Sequence, residues 1–149
     1  MQGTQLNNAI TIIGQMTEEE LKQAAQEGFH SVLNLRAPEE EGVLPDEKEK
    51  AEATGLFYVN IPVRKAEISD ALTTEVLSEI DRLPKPALIH CATGMRAGAM
   101  GFMHMATRQG LSAVKAMEQA HALGFDCSSE PQLKKFFEQY VDSHHSEPV

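Results

Sequence analysis

The residues best suited to chemistry in this chain lie in one short segment, HCATGMR, at positions 90–96. Cys91 supplies a thiol, Arg96 supplies a planar guanidinium that suits tetrahedral oxyanions, and Gly94 lets the backbone turn without a Cβ clash. The segment follows the apolar run PALI and precedes a helical stretch, so its backbone amides would form an anion cradle at a helix N-terminus. Helix N-termini and neighbouring arginines favour thiolate over thiol. The sequence therefore predicts Cys91 and Arg96 as catalytic residues. The predicted anion-binding loop is Ala92, Thr93, Gly94, Met95 and Arg96, and His90 is predicted to order it through hydrogen bonds.

Alternating strand and helix patterns surround this segment and predict an α/β fold with a mainly parallel sheet flanked by helices. In such sheets ligands bind beyond the carboxyl ends of the strands, where this loop would lie. Apolar runs predict strands at Ile10–Ile13, Phe29–Leu35, Leu56–Ile61 and Ala87–His90. Capping residues and apolar periodicity predict helices after Thr17, at Asp46–Thr54 (charged and exposed), after Ser69, and at Arg96–Gln109, Ser112–Leu123 and Ser129–Ser143.

Length and charge limit the classes of partner. The 149 residues suit a single domain, with a core at about 10–143 and a frayed polar tail at about 144–149. The net charge of -9 argues against nucleic acid and anionic membrane surfaces as partners. Two cysteines do not make a disulfide framework, and the N-terminus has no signal-peptide pattern, so a reducing, cytoplasmic location is expected. The sequence does not indicate an oligomeric state.

The segment HCATGMRAG resembles the signature loop of cysteine phosphatases and rhodaneses. More narrowly, the chain resembles the phosphatase-like domain family of bacterial beta-lactamase-hydrolase-like proteins, which is also labelled a sulfur transferase family. Beyond the loop, the resemblance includes Gly14-Gln15, GFHSVLNLR ending at Arg36, the acidic stretch that follows, Gly55 and YVNIPV, within about Ile10 to Gln109. It implies a fold like that of dual-specificity phosphatases, with a short, mostly parallel sheet.

The length of the loop favours sulfur transfer within that resemblance. Tyrosine and dual-specificity phosphatases place five residues between Cys and Arg, whereas four lie between Cys91 and Arg96, as in single-domain rhodaneses. Those phosphatases usually follow the Arg with Ser or Thr, whose hydroxyl helps the thiolate leave, whereas this chain has Ala97. A smaller ring of amides suits one sulfur atom better than a phosphoryl group.

A phosphatase would also need a general acid to protonate the leaving group. The candidates are Glu67 and Asp70, in the loop and helix start after the third strand, although an acidic residue at Asp70 is also expected from the helix dipole. Arg36 and Arg64 are candidate pocket residues. For Arg36 an ion pair with Glu39 or Glu40 is an equal alternative, and for Arg64 the alternative is a solvated loop.

The sequence is consistent with three candidate functions. The leading hypothesis is a cysteine-dependent sulfur transferase that forms a persulfide on Cys91 from thiosulfate or a persulfide donor. The alternative is a tyrosine- or dual-specificity-type phosphatase that works through a phosphocysteine, and the third is a non-catalytic module that binds oxyanions or phosphoproteins. The expected ligand is a small oxyanion, a persulfide or a phosphorylated substrate, with no metal and no cofactor. Cys127 is interpreted as a spectator thiol, with a resolving cysteine as the less favoured alternative.

Overall fold

A computed structural model describes residues 3–144 as a five-stranded sheet with helices on both faces. The strands are β1 (Thr4–Gln5), β2 (Ile10–Ile13), β3 (Ser31–Asn34), β4 (Phe57–Asn60) and β5 (Ala87–His90). The helices are α1 (Glu18–Gln26), α2 (Glu47–Ala53), α3 (Asp70–Arg82), α4 (Met95–Gln109), α5 (Ala113–Ala122) and α6 (Pro131–Ser143), with a short 3-10 helix at Lys65–Glu67.

The strand order is β1-β2-β5-β3-β4, and only the β1–β2 pair is antiparallel. At the carboxyl edge of the sheet, Ile13, His90, Asn34 and Asn60 lie side by side in register. The α/β prediction is therefore confirmed. Cys91 leaves the central strand at the edge where parallel sheets of this kind bind ligands.

Two apolar layers hold the sheet in place. On one face Val32 and Leu88 pack against Leu21 of α1 and Ala51 of α2, and on the other Leu33 and Ile89 join the larger core built with α3 to α6. The alternation of side chains along each buried strand divides them between these layers. Every position of β3 and β5 is buried, as expected of central parallel strands.

The local sequence signals account for the helix starts. Thr17 and Glu20 form the predicted capping box, with Thr17 Oγ1 accepting from the Glu20 amide at 3.1 Å and Glu20 Oε1 accepting from the Thr17 amide at 2.9 Å. Ser69 caps α3 by accepting from the Leu72 amide at 3.1 Å.

Three sequence expectations need correction. Helix α2 is not wholly exposed, because Glu47 and Ala51 are buried against the sheet. Strand β1 and the 3-10 helix were not predicted; each is too short for a hydrophobic period to show. His144 was expected to fray, but its ring stacks on Tyr140 with centroids 4.1 Å apart. The rest of the predicted tail, 145–149, lies outside the described residues.

Candidate active site

The site begins where β5 ends and α4 begins. Gly94 is the N-cap of α4 with a φ of 94°, a left-handed conformation that glycine adopts without strain. The loop turns there, and its amides point back toward Cys91. The Cys91 Sγ accepts from the Gly94 amide at 3.1 Å and from the Ala97 amide at 3.4 Å. The side chain is almost fully buried, with 1% of its surface exposed. These contacts suit a thiolate, because each amide donates toward the negative sulfur.

A neighbouring loop braces the catalytic loop from the side of β2. The amide of Gln15 donates to the carbonyl of Ala92 at 3.0 Å. A Cβ on Gly14 would come within 3.0 Å of that same carbonyl oxygen, so a larger residue would push the two loops apart. The Gly14-Gln15 pair therefore fixes the position of Ala92, the residue that follows Cys91.

Arg96 is held in a single orientation by two other loops. Its Nη1 and Nη2 donate to Glu40 Oε2 and Oε1, each at 2.8 Å, and Nη1 also donates to the carbonyl of Val63 at 2.8 Å. This bidentate pair fixes the plane of the guanidinium. The hydrogen bonds from Arg96 are the main reason that the pKa of Glu40 is lowered to about 2. Burial opposes this shift, and hydrogen bonds from the Ala37 amide and from Arg36 add to it. The pKa of Arg96 is raised above its usual value, first by Glu40 and further by the neighbouring Cys91.

The two other predicted basic residues are already paired. Arg36 is buried at the end of β3, where it donates to Glu40 at 3.1 Å and to Gln15 Oε1 at 2.8 Å. The structure thus shows the Glu40 ion pair that was one alternative for Arg36. Arg64 makes a two-point pair with exposed Glu39, at 2.8 and 3.1 Å.

The two candidate acids lie farther along the same surface segment. Glu67 lies in the 3-10 helix with its carboxylate 3.6 Å from Arg64, and its side chain is 64% exposed. Asp70 begins α3 and accepts from His144 Nε2 at 2.8 Å. Within residues 3–144 neither carboxylate hydrogen-bonds to the catalytic loop, so the structure does not bring the acids and the thiol into contact.

His90 precedes Cys91 and contacts a residue, Glu47, that the sequence analysis did not single out. Its Nδ1 is 3.4 Å from the carbonyl oxygen of Cys91, and its Nε2 is 2.6 Å from Glu47 Oε2. Both side chains are buried. Glu47, and the bond from Glu40 to Arg96, were missed because both glutamates lie in acidic stretches typical of a protein surface, and no spacing rule marks a carboxylate that reaches across the fold.

A cleft of about 450 Å³ runs along one side of the catalytic loop. Its walls include Thr93, Gly94 and Met95 of the loop and Gly124 to Asp126 from the α5–α6 connection. The ring of Phe125 lies over the start of α4, where a Cβ on Gly98 would approach it to 2.1 Å. The α5–α6 connection thus packs directly on α4, the helix that follows the Cys91 loop.

Cys127, in the same connection, is fully buried, and burial raises the pKa of its thiol. Both cysteines are free. Residues 3–144 contain no cluster of three or more metal-ligating side chains. None of the helices described is long and apolar enough to cross a membrane.

The family model for the phosphatase-like domain of beta-lactamase hydrolase-like proteins matches residues 4–107. The chain belongs to this family. It is 31% identical over 100 residues to the beta-lactamase hydrolase-like protein of Agrobacterium fabrum, a match covering 65% of this chain and 23% of that protein. The chain spans about a quarter of the length of the curated relatives it matches.

Solved structures show the same fold at low sequence identity. A candidate phosphatase of Shewanella putrefaciens has a TM-score of 0.81 at 20% identity, covering 97% of this chain and 91% of that one. A cysteine-to-serine variant of P. aeruginosa TpbA in complex with phosphotyrosine has a TM-score of 0.77 at 15% identity, covering 96% and 87%. These likenesses establish the phosphatase-like fold of the family domain.

Proposed function

We propose that this family domain is a phosphatase that hydrolyses phosphomonoesters through a phosphocysteine on Cys91. The observation that carries the proposal is the thiol held by the Gly94 and Ala97 amides next to an arginine fixed by Glu40. Preorganised donors around a tetrahedral anion supply most of what phosphoryl transfer needs. The phosphatase-like fold and the phosphotyrosine-bound neighbour favour a phosphoryl group as that anion.

In the first step the Cys91 thiolate attacks phosphorus, the S–P bond forms and the bond to the ester oxygen breaks. Arg96 and the loop amides stabilise the equatorial oxygens. The leaving oxygen takes a proton from Glu67, which we favour over Asp70 because Asp70 is the first residue of α3 and pairs with His144. In the second step water attacks phosphorus, its proton passes to the Glu67 carboxylate, and the thiolate leaves. Glu67 follows closely after Val63, whose carbonyl holds Arg96, so its segment is anchored to the catalytic arginine.

Sulfur transfer is the second candidate, and the spacing of the loop favours it. Four residues separate Cys91 from Arg96, and Ala97 has no hydroxyl to help a phosphocysteine break down. The thiolate would attack the outer sulfur of thiosulfate, sulfite would leave as an anion, and the persulfide would pass its sulfur to a thiol or cyanide. No proton donor is needed, which fits a site without a carboxylate in contact with the thiol.

A cytoplasmic location remains a proposal that rests on the two free cysteines.

The experiment is to assay both activities on one preparation, with Cys91→Ser as the inactive control and Cys127→Ser as the matched control. We expect vanadate-sensitive hydrolysis of an aryl phosphate that Cys91→Ser abolishes and Cys127→Ser leaves unchanged. Sulfur release from thiosulfate without phosphate release would overturn the first proposal in favour of the second. Anion binding without either turnover would leave the non-catalytic module.

A further inference from the structure

Arg36 is the buried arginine that the proposed catalytic steps leave without a role. Only 5% of its surface is exposed, and a cation buried this far is costly unless it is paired and hydrogen-bonded. Each of its three guanidinium nitrogens donates to a protein group: Nε to Glu40 Oε1, Nη1 to Gln15 Oε1, and Nη2 to the carbonyl of Glu41. Because its nitrogens face these partners, Arg36 is placed to hold other groups rather than to bind the anion itself.

The contact with Gln15 links Arg36 to the start of the anion-binding loop. Gln15 Oε1 accepts from Arg36 at 2.8 Å, and Gln15 Nε2 donates to Glu47 Oε1 at 3.0 Å, so both ends of this side-chain amide are held. The backbone amide of Gln15 donates to the carbonyl of Ala92 at 3.0 Å. The C=O and N–H of a trans peptide point in opposite directions, so this bond directs the Thr93 N–H away from Gln15. Gln15 thus sets the direction of one amide of the loop.

The contact with Glu40 links Arg36 to the other end of the loop. Glu40 Oε1 accepts from Arg36 Nε at 3.1 Å and from Arg96 Nη2 at 2.8 Å, so one oxygen joins the two guanidinium groups. Glu40 Oε2 accepts from Arg96 Nη1 and from the Ala37 amide, each at 2.8 Å. Arg36 therefore restrains the carboxylate that fixes the plane of Arg96.

The backbone of Arg36 is itself held at both of its polar groups. Its N–H donates to Asn34 Oδ1 at 2.9 Å, and its carbonyl accepts from Asn60 Nδ2 at 2.9 Å. Asn60 Nδ2 also donates to the carbonyl of Asn34 at 2.7 Å. Asn34 and Asn60 end β3 and β4 and lie side by side in register. Arg36 is thus anchored to the carboxyl edge of the sheet, which gives both of its contacts a fixed origin.

We propose that Arg36 is a positioning residue that holds the Thr93 amide and the Arg96 guanidinium at the separation that a tetrahedral oxyanion requires. These two donors lie toward opposite ends of the anion-binding loop, and Arg36 donates to the partner that orients each of them. Donors that are fixed before the anion arrives bind it without the cost of ordering them. The inference rests on the anion-binding role of the loop in the proposed function, and it holds for either phosphoryl or sulfur transfer.

The test measures the affinity of the protein for inorganic phosphate by calorimetry, without turnover. Arg36→Lys keeps the positive charge, but a single ammonium group cannot reproduce the fixed directions of the guanidinium fork. We expect the Kd for phosphate to rise about tenfold, because the two donors are no longer held together. Arg82→Lys is the matched control: Arg82 ends α3, its side chain is 68% exposed and pairs with Glu79, and its replacement should leave the Kd unchanged.

A second measurement separates positioning from a purely structural role and leaves Arg36 in place. Gln15→Met removes the acceptor on one side of Arg36, and Glu40→Gln weakens the acceptor on the other. If Arg36 couples the two donors, breaking either contact already releases them, so the combined loss of phosphate affinity should be smaller than the product of the two single losses. In the Arg36→Lys background the same two losses should multiply. A residue that only stabilises the fold would lower Tm without this coupling.

Thermal unfolding establishes which variants are folded, and the Gln15→Met and Glu40→Gln pair decides the outcome if Arg36→Lys does not fold. An unchanged phosphate Kd in folded Arg36→Lys would overturn the proposal, as would losses that multiply while Arg36 is present. A wild-type protein that does not bind phosphate would overturn it too. Failure of the phosphatase proposal alone has a different result: phosphate binds with this dependence on Arg36, but no aryl phosphate is hydrolysed.

Discussion

The loop that carries Cys91 and Arg96 and the segment between β4 and α3 differ in how far their side chains are buried and paired. In the loop, Cys91 and Arg96 are buried, and backbone amides or a buried ion pair hold every reactive group. In the segment, the side chains of Arg64 and Glu67 are 43% and 64% exposed and pair with other surface residues. Buried contacts therefore hold the anion-binding half of the site, whereas the side chain proposed as the proton donor is exposed. This contrast is what separates the two candidate reactions, because only phosphoryl transfer needs the second half.

The largest expected effect tests the exposed segment directly. Glu67→Gln should lower kcat for alkyl phosphates by about 10²-fold or more, because these leaving groups need a proton. The loss should be smaller for nitrophenyl phosphate, whose leaving group is a stable anion. Steady-state kinetics on both substrates measure this, with Asp70→Asn as the control that removes the α3 acid. Equal kcat values of Glu67→Gln and Asp70→Asn on alkyl phosphates would mean that the segment with Glu67 takes no part in the reaction.

A smaller loss is expected from the ordered half. Glu40→Gln should cut kcat by about 10-fold, because Arg96 loses the charged partner that fixes its plane but keeps its hydrogen bond to the Val63 carbonyl. Glu39→Gln removes a carboxylate from the same loop that holds Arg64 instead, so its kcat should stay near that of the wild type. Similar kinetics for the two variants would show that the Glu40 pair does not position Arg96.

The same carboxylate has a signature in acid unfolding. The pKa of Glu40 is lowered from 4.5 to about 2, so its stabilising contribution is complete above about pH 4.5 and is lost as the pH falls through about 2. Glu40→Gln should flatten the dependence of the free energy of unfolding on pH in that window, as denaturant titrations at a series of pH values would show. An unchanged slope would argue against the ion pair.

The smallest expected effect is on stability alone. Gly98→Ala should lower the free energy of unfolding by about 1–3 kcal/mol, because the new methyl group overlaps the Phe125 ring. Gly101→Ala lies on the same helix, where the nearest atom is the flexible end of Leu6 at 2.9 Å, so its loss should be smaller. Chemical denaturation ranks the two variants, and the reverse order would show that the α5–α6 connection does not pack as described.

Local patterns predicted most of the fold. The apolar run ALIH, the capping box at Thr17 and the Ser69 cap each act over a few residues, and the structure has each where the pattern placed it. The same locality explains why the HCATGMR loop could be identified. Its function depends on the backbone turn, which glycine and the strand–helix order determine.

The carboxylates that support the site could not be predicted in this way. Glu40 lies 56 residues before Arg96, and Glu47 lies 43 residues before His90, so both contacts depend on how the layers assemble. In the sequence each of them looks like an ordinary surface glutamate. The exposed helix predicted at Asp46–Thr54 was wrong at Glu47 for this reason. Partners brought together by tertiary structure have no short-range signal.

The central claim is that Cys91 carries a phosphoryl group during turnover, and a trapped intermediate tests it most directly. The protein is mixed with an aryl phosphate, quenched in acid within the first turnovers and digested, and the peptide containing Cys91 is analysed by mass spectrometry. The account predicts one phosphoryl group on Cys91, absent in Cys91→Ser and increased when Glu67→Gln slows hydrolysis of the intermediate. Steady phosphate release with an unmodified Cys91 at every quench time, or a Cys91 that takes up sulfur from thiosulfate and never phosphate, would contradict it.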